Sequence, residues 1–506
     1  MKNRFLICIL LLSVTIAGLG CSSQSDETQQ NSSELDSTNT NNISNEKPSD
    51  FKDVEGLWIG NLTVPGGMEL RLLFKLSANP DGTINATMDS PDQGAGGIHI
   101  DTVEYENRNL KLEIKSIKGT YEGVLKEDNE TIEGEWKQAG TSFPLILRRT
   151  EKAPDVSKKQ DPVKPYPYIE EEVTYENKEA GVKLAGTLTF PETEGPFPAV
   201  ILISGSGPQN RDEGVLGHRP FLVLSDYLTR RGIAVLRVDD RGVGNSTGNF
   251  SEATSEDFAS DVLSGVEYLK TREEIDSSKI GLLGHSEGGI IAPMIAAESR
   301  DIAFIVLMAA PGIVGEELLY RQSALIARAE GASNESTAKN EALMRRMFSI
   351  VKEEENSTLA EEKLRIILRS ELENLSEEER TNSGYSEAAI DAQVAGLTSP
   401  WMRFFLTYDP RLNLMKVKCP VLAINGEKDL QVPPEENLRA IEEALRAGGN
   451  QDHTIKELPG LNHLFQTAET GSPSEYAKIE ETISPDALNI IGNWIVEHVQ
   501  ETPNKN

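Results

Sequence analysis

The chain has very little cysteine, with three residues in 506, at positions 8, 21 and 419. Cys8 and Cys21 fall in the N-terminal segment, so only Cys419 lies in the part expected to fold. One such residue allows no intramolecular disulfide. The sequence therefore gives no reason to expect cross-links or a cysteine metal cluster.

Positive charge is also scarce, since 50 Lys and Arg stand against 81 Asp and Glu and give a net charge of −31. No stripe of basic residues and no zinc-ligand spacing is present in the sequence. So acidic a chain repels nucleic acid and anionic lipid headgroups. We expect no nucleic-acid partner, no metal and no organic cofactor, and the sequence predicts no oligomeric state.

A long membrane-spanning run is missing as well. The apolar segment Phe5–Ile16 follows a basic start and is too short to cross a bilayer, so residues 1–20 are predicted to be a secretory signal. The small residues before Cys21 resemble a bacterial lipobox, which implies lipid attachment at Cys21 and anchoring of the secreted protein at a membrane. Gly18 departs from the usual leucine of that motif, so ordinary signal cleavage is the alternative.

Three segments follow the signal before the main domain. Residues 21–50 are mostly Ser, Asn, Thr, Gln and acidic residues, which predicts a disordered tether. Short alternating segments over 51–150 predict a small antiparallel β domain, a sandwich or barrel, in which Trp58 and Trp136 are interpreted as core residues rather than ligand stackers. The Pro- and Lys-rich stretch 151–165 is interpreted as a linker.

The main domain, residues 166–500, alternates apolar runs with helical patterns. This alternation predicts an α/β fold with a doubly wound, mostly parallel sheet. Residues 313–416 are too long for a simple connection and have helical spacing, so they predict a helical cap inserted into this domain. The predicted strands are 199–203, 233–238, 280–283, 304–308, 421–424 and 454–458.

Residues 280–292 have the pattern of a buried strand, a G-x-S-x-G turn and the start of a helix. This pattern is typical of a nucleophile elbow, which would project the Ser286 hydroxyl at the carboxyl edge of the sheet. Ser286 is therefore the predicted nucleophile, and a Gly-rich turn in a nucleotide-binding sheet is the alternative. A second G-x-S-x-G at 244–248 adjoins neither a strand nor a helix directly, so it is interpreted as a loop.

An activated serine needs a histidine base, and the base needs a carboxylate that fixes its tautomer. In the order nucleophile, acid, histidine, the loop after the strand-like segment 454–458 supplies His463. Asp429, in the loop after the strand-like segment 420–424, is the predicted acid. Glu427 is its rival, and an ordinary solvated turn carboxylate is the alternative for either residue.

The loop after the apolar run 199–203 consists of small residues, which let the backbone approach a substrate closely. The N–H of Ser206 and the N–H of Glu287 are predicted to stabilise the oxyanion of a tetrahedral intermediate. Gly207 is the alternative to Ser206 as donor, and a plain tight turn is the alternative for the loop.

From about Tyr166 to Val499 the chain resembles the α/β-hydrolase superfamily and, within it, bacterial serine carboxylesterases with a G-H-S-E-G-G elbow. The resemblance implies a doubly wound, mostly parallel sheet with the triad Ser286, Asp429 and His463. At position 204, serine replaces the histidine that many relatives have in an H-G-x-G oxyanion loop, which bears on the geometry of that loop. The segments that carry the resemblance are 203–212, 239–246, 284–289 and 460–465.

These patterns predict a serine hydrolase that cleaves small-molecule carboxylic esters, with short- to medium-chain acyl groups, through an acyl-enzyme. In the cap, Trp401, Phe404 and Phe405 are candidates for lining the substrate pocket, and packing of the cap on the body is the alternative. The alternative functions are a peptidase or amidase of the same fold, an acyltransferase, and a non-catalytic surface binding protein in which the β domain is the active part.

Overall fold

The computed structural model describes residues 51–63, 69–78, 84–93, 95–138, 141–153, 158–373 and 387–499. The predicted signal, Cys21 and the predicted tether lie outside the described residues. Most described residues up to Ala153 form one compact unit, and those from Lys158 onward form a second. Within these ranges no helix is both long enough and apolar enough to cross a membrane.

The first unit is a nine-stranded sheet in the described residues, with strand order β4-β3-β2-β1-β9-β8-β7-β6-β5. Its strand registers are antiparallel, as the alternating sequence predicts. Trp58 and Trp136 are 0% and 1% exposed, so both are core residues, as predicted. The strands are β1 Gly56–Thr63, β2 Glu69–Ala78, β3 Ile84–Ser90, β4 Ala95–His99, β5 Thr102–Glu106, β6 Asn109–Ile114, β7 Gly119–Leu125, β8 Thr131–Gln138 and β9 Thr141–Thr150.

The second unit contains an eight-stranded mixed sheet in the order β10-β11-β13-β12-β14-β15-β16-β17. The six predicted strands are all present and run parallel to one another. An antiparallel hairpin that the sequence analysis did not predict, β10 and β11, extends the sheet beside β13. The strands are β10 Tyr168–Asn177, β11 Val182–Pro191, β12 Phe197–Ile203, β13 Ala234–Val238, β14 Ile275–His285, β15 Ile305–Met308, β16 Val421–Gly426 and β17 His453–Leu458.

Helices cover both faces of this sheet, which explains why its central strands are apolar throughout. One face packs against α2, α3 and α10, and the other packs against α1 and α11. The helices are α1 Pro220–Thr229, α2 Ser255–Lys270, α3 Gly288–Glu298, α4 Gly315–Ala329, α5 Asn334–Glu353, α6 Ser357–Glu373, α7 Glu387–Thr398, α8 Pro400–Thr407, α9 Arg411–Leu414, α10 Pro434–Ala447 and α11 Pro485–Val499.

Helices α4 to α9 lie between β15 and β16, where the sequence predicts a cap. They enclose a hydrophobic core of their own, which includes Leu343, Met347, Leu364 and Val394. Residues 374–386 of the predicted cap lie outside the described residues. The insertion therefore leaves the sheet at the carboxyl end of β15 and returns to it at the start of β16.

Candidate active site

A sharp turn joins β14 to α3 and carries Ser286. Ser286 has φ +51°, a left-handed conformation that costs a non-glycine residue about 1–3 kcal/mol. A Cβ on Gly284 would lie 2.0 Å from the carbonyl oxygen of Gly288, and a Cβ on Gly288 would lie 2.1 Å from that of Ile203. Glycine is required at both positions because the strand and helix approach too closely for side chains. The turn therefore has the strained geometry that an elbow requires.

The serine of the second G-x-S-x-G sequence lies in a different environment. Ser246 is 2% exposed, and its hydroxyl donates to the carbonyl oxygen of Asp239 at 2.7 Å and accepts from the N–H of Ala185 at 2.9 Å. Both hydrogen bonds tie its loop to β11 and to the end of β13. The Ser246 hydroxyl is thus occupied by the backbone and points into the protein.

The structure joins Asp429 directly to His463. Nδ1 of His463 donates to Oδ2 of Asp429 at 2.8 Å, and Oδ1 accepts from the N–H groups of Gln431 and Val432, each at 2.8 Å. The Asp429 side chain is 0% exposed, and that of His463 is 6% exposed. Because the carboxylate accepts the hydrogen bond from the Nδ1–H group, Nε2 of His463 is left as the basic nitrogen.

His285, the residue before Ser286 in the chain, connects the serine turn to His463. Nε2 of His285 donates to the carbonyl oxygen of His463 at 3.0 Å, and the two imidazole rings have centroids 4.9 Å apart. Within the described residues no hydrogen bond joins the Ser286 hydroxyl itself to His463. In free hydrolases this bond is often long and tightens only when substrate binds.

Glu427, the rival acid, has a separate role. Its Oε2 accepts the N–H of Gly460 at 2.8 Å, and the residue is exposed. This bond supports the start of the loop that carries His463, but the carboxylate does not contact the imidazole. The structure therefore brings Asp429, and not Glu427, to the predicted base.

The loop after β12 lies beside Ser286, since a Cβ on Gly205 would be 3.3 Å from that of Ser286. Ser206 is exposed, and Gly207 has φ +95°. Among the described residues, the N–H of Ser206 and the N–H of Glu287 appear in no backbone hydrogen bond outside the regular elements. Both predicted oxyanion donors are therefore left without a backbone partner, while Gly205 donates its own N–H to the carboxylate of Glu213.

Ser204, which differs from the histidine expected from the resemblance, is hydrogen-bonded to the buried carboxyl group of Asp240. Its hydroxyl donates to Oδ1 of Asp240 at 2.9 Å, and Oδ2 accepts the N–H of Gln209 at 2.9 Å. Burial raises the pKa of Asp240 well above its usual range, although these hydrogen bonds oppose the shift. Asp240 thus holds both ends of the loop, at Ser204 and at Gln209.

The cap reaches the elbow through Glu287, the residue after Ser286. Its carboxylate is buried and accepts from the Ser255 hydroxyl at 2.5 Å and from Nε1 of Trp401 at 2.7 Å. Burial raises the pKa of Glu287, and both hydrogen bonds oppose the shift. Trp401 on α8 is therefore linked directly to the residue whose N–H is a predicted oxyanion donor.

The three cap aromatics pack on the body of the second unit. The Trp401 and Phe405 rings stack with centroids 4.9 Å apart, and Phe404 stacks on Tyr408 at 5.1 Å. They cluster with apolar side chains of α3 such as Ile290. A neighbouring pocket does not include them, and its lining comprises Gly205, Gly207, Asp240, Glu287 and a mainly apolar wall of Tyr175, Leu184, Ile201, Phe250, Phe258 and Ile291.

The sheet, the strained serine turn and the adjacent His–Asp pair are those of a serine hydrolase of α/β fold. A model of the family described as X-Pro dipeptidyl-peptidase (S15 family) matches residues 180–456, more than half of the chain, and the chain belongs to this family. The matched segment contains Ser286 and Asp429 and ends before His463.

Individual relatives include proteins named as esterases and hydrolases. Esterase EstD of Thermotoga maritima is 27% identical over 405 residues, which are 80% of this chain and 82% of that relative. Putative hydrolase YtaP of Bacillus subtilis is 32% identical over 125 residues, 21% of this chain and 41% of that relative. A solved esterase of Pyrococcus furiosus has 16% identity and a TM-score of 0.40, and the match covers 66% of this chain and 91% of that chain.

Proposed function

We propose that this chain is a carboxylesterase in which Ser286 is the nucleophile, His463 the general base and Asp429 the residue that orients His463. The observation that carries the proposal is the buried Asp429–His463 hydrogen bond at 2.8 Å, which His285 connects to the following residue Ser286, held at φ +51°. No other described G-x-S-x-G serine is available, since the hydroxyl of Ser246 is occupied by backbone groups.

The reaction follows from these positions. Oγ of Ser286 attacks the ester carbonyl while Nε2 of His463 takes its proton, and the same nitrogen then returns the proton to the leaving alcohol. Water then attacks the acyl-enzyme while Nε2 of His463 takes its proton, and the same nitrogen returns the proton to Oγ of Ser286 as the acid product leaves. The N–H groups of Ser206 and Glu287 stabilise the oxyanion, and each such donor is worth about 10²–10³-fold in kcat in other enzymes.

The choice of esters rather than peptides rests on the relatives. EstD is named an esterase and matches most of this chain, which favours ester substrates. The description of the S15 family favours a peptidase as the second candidate, because it names an X-Pro dipeptidyl-peptidase. The two activities share one triad mechanism and differ in the leaving group, which is an alcohol for an ester and an amine for a peptide.

A substrate panel decides between these functions. Purified protein is assayed with p-nitrophenyl esters from acetate to decanoate and with aminoacyl and aminoacyl-prolyl p-nitroanilides, using Ser286→Ala as the blank. We expect turnover of the shorter esters and no turnover of the anilides. Turnover of aminoacyl-prolyl anilides with inert esters would instead make the protein a dipeptidyl peptidase.

We propose that the cap aromatics influence acyl-chain selection through Trp401. Replacing Trp401 with alanine removes the indole N–H bonded to Glu287 and opens space over α3, so we expect the preferred ester chain length to change. Trp401→Phe keeps a ring and loses only the donor, which separates volume from hydrogen bonding. The measurement is kcat/KM across the ester series, and an unchanged profile with lower thermal stability would assign Trp401 to packing.

We further propose that the protein is secreted and attached to a membrane by lipid on Cys21. The lipobox-like residues before Cys21 support this proposal. Expression in a bacterium with lipoprotein processing should yield a mature chain that begins at Cys21 and carries the added acyl mass. A mature chain without this mass, or with another first residue, would indicate ordinary signal cleavage.

A further inference from the structure

Three hydrogen bonds link the loop beside Ser286 to the loop of His463. The N–H of Gly205 donates to Oε1 of Glu213 at 2.7 Å, and Nδ1 of His285 lies 2.9 Å from the same oxygen. Nε2 of His285 then donates to the carbonyl oxygen of His463 at 3.0 Å. Glu213 and His285 are both 5% exposed, so the connection is buried directly beneath the nucleophile elbow.

The hydrogen-bond partners define the protonation of this connection. A carbonyl oxygen can only accept, so Nε2 of His285 must carry a proton. Burial alone would lower the pKa of His285, but the negative charge and hydrogen bond of Glu213, the hydrogen bond to the His463 carbonyl and the charge of Asp429 together raise it above its ordinary value. Glu213 and His285 therefore form a buried pair that shares a proton between Oε1 and Nδ1, and its two ends are bonded to backbone atoms of two different loops.

A buried pair of a carboxyl group and an imidazole is a weak source of stability, because the cost of removing such groups from water offsets their attraction. Glu213 is also held in the left-handed conformation, with φ +50°, which adds backbone strain. The pair contacts the backbone of the predicted oxyanion loop and the backbone of the predicted base.

We infer that Glu213 and His285 are positioning residues that hold the oxyanion loop and the His463 loop in register around Ser286. Glu213 accepts the hydrogen bond of the Gly205 N–H. The N–H groups that can face the substrate are therefore those of the residues after Gly205. His285 holds His463 at its carbonyl, while Asp429 holds the imidazole ring. The base is thus fixed at two points, and a misplacement near 1 Å costs about 10²-fold in rate in other enzymes.

This inference rests on the proposed esterase function, and the experiment separates the two. Glu213→Ala removes the acceptor for Gly205, whereas Glu213→Gln keeps an acceptor oxygen and removes the charge. The control is Asp161→Asn, which breaks another buried carboxylate pair of the same unit, with Arg219 at 2.6 Å. For each protein, kcat and KM for a p-nitrophenyl ester and the free energy of unfolding in urea are measured.

We expect Glu213→Ala to lower kcat about 10²-fold with KM within about twofold of wild type, as for loss of an oriented transition-state contact. Glu213→Gln should recover about tenfold of that loss and no more, because the Gly205 N–H keeps its acceptor while the carboxyl group is lost. Asp161→Asn should lose stability and keep its kcat. If Glu213→Ala does not fold, Glu213→Gln alone decides, with an expected fall in kcat of about tenfold at unchanged KM.

If Glu213→Ala folds and has the kcat of the wild type, the inference is overturned and the esterase proposal stays intact. If Glu213→Ala does not fold, a wild-type kcat in folded Glu213→Gln has the same meaning. The inference would also be overturned if Asp161→Asn, at the same loss of stability, lost as much kcat as the Glu213 variants. Absence of ester turnover in the wild-type protein would instead remove the proposed function on which the inference depends.

Discussion

Replacing Ser286 with alanine is expected to lower kcat for ester hydrolysis by at least about 10⁴-fold, because the acyl-enzyme can no longer form. The folded structure should persist, since alanine retains the Cβ at the strained position. The measurement is kcat for p-nitrophenyl butyrate, with circular dichroism to verify folding. The residual rate would come from substrate binding and the oxyanion donors alone.

Ser246→Ala is the matched control, because it alters the serine of the other G-x-S-x-G sequence. It removes two buried hydrogen bonds, to Asp239 and Ala185, and should cost about 1–3 kcal/mol of unfolding free energy. Its kcat should stay within about twofold of wild type. Loss of turnover in Ser246→Ala together with full activity in Ser286→Ala would reverse the assignment.

Replacing Asp429 with asparagine is expected to lower kcat about 10⁴-fold, as removal of the charge does in a related triad. Oδ1 is already bonded to the N–H groups of Gln431 and Val432, so the new amide group would face Nδ1 of His463. The imidazole would then place its proton on Nε2 and lose the lone pair needed to accept the Ser286 proton. Steady-state kinetics on the ester used for Ser286 measures this loss.

Glu427→Gln provides the comparison for Asp429. An amide oxygen can still accept the Gly460 N–H, so kcat should remain within about twofold of wild type. Full activity in Asp429→Asn and a large loss in Glu427→Gln would show that the rival carboxylate orients the base.

The parallel strands could be predicted because helices cover both faces of the sheet. Strands β12, β15 and β16 are buried along almost their whole length, so they appear in the sequence as continuous apolar runs. The hairpin strand β10 has a different burial pattern, in which exposed glutamates alternate with buried residues. The continuous apolar runs that identify the parallel strands therefore do not identify β10, because glutamates interrupt its apolar residues.

The candidate triad could be placed from sequence because each residue follows an identifiable strand. The Glu213–His285 pair carries no such signal, since its members lie 72 residues apart and Glu213 belongs to no regular element. His285 could be placed inside the elbow, with its side chain directed away from that of Ser286. Its partners depend on how two loops fold together, which spacing along the chain does not reveal.

The cap illustrates another limit of sequence patterns. Helical spacing predicts a helical cap over residues 313–416, but the hydrogen bond from Trp401 to Glu287 joins residues 114 positions apart. An aromatic cluster in the sequence indicates burial without identifying what it is buried against. The structure shows that this cluster packs on α3 and contacts the residue after Ser286.

Covalent labelling of the purified protein with a fluorophosphonate, followed by intact-mass analysis and peptide mapping, tests directly whether Ser286 is the nucleophile. We expect a single adduct on the peptide that contains Ser286, formed faster in the wild type than in Asp429→Asn. A folded protein that takes up no label, or that carries the adduct on the peptide containing Ser246, would contradict the assignment of Ser286 as the nucleophile.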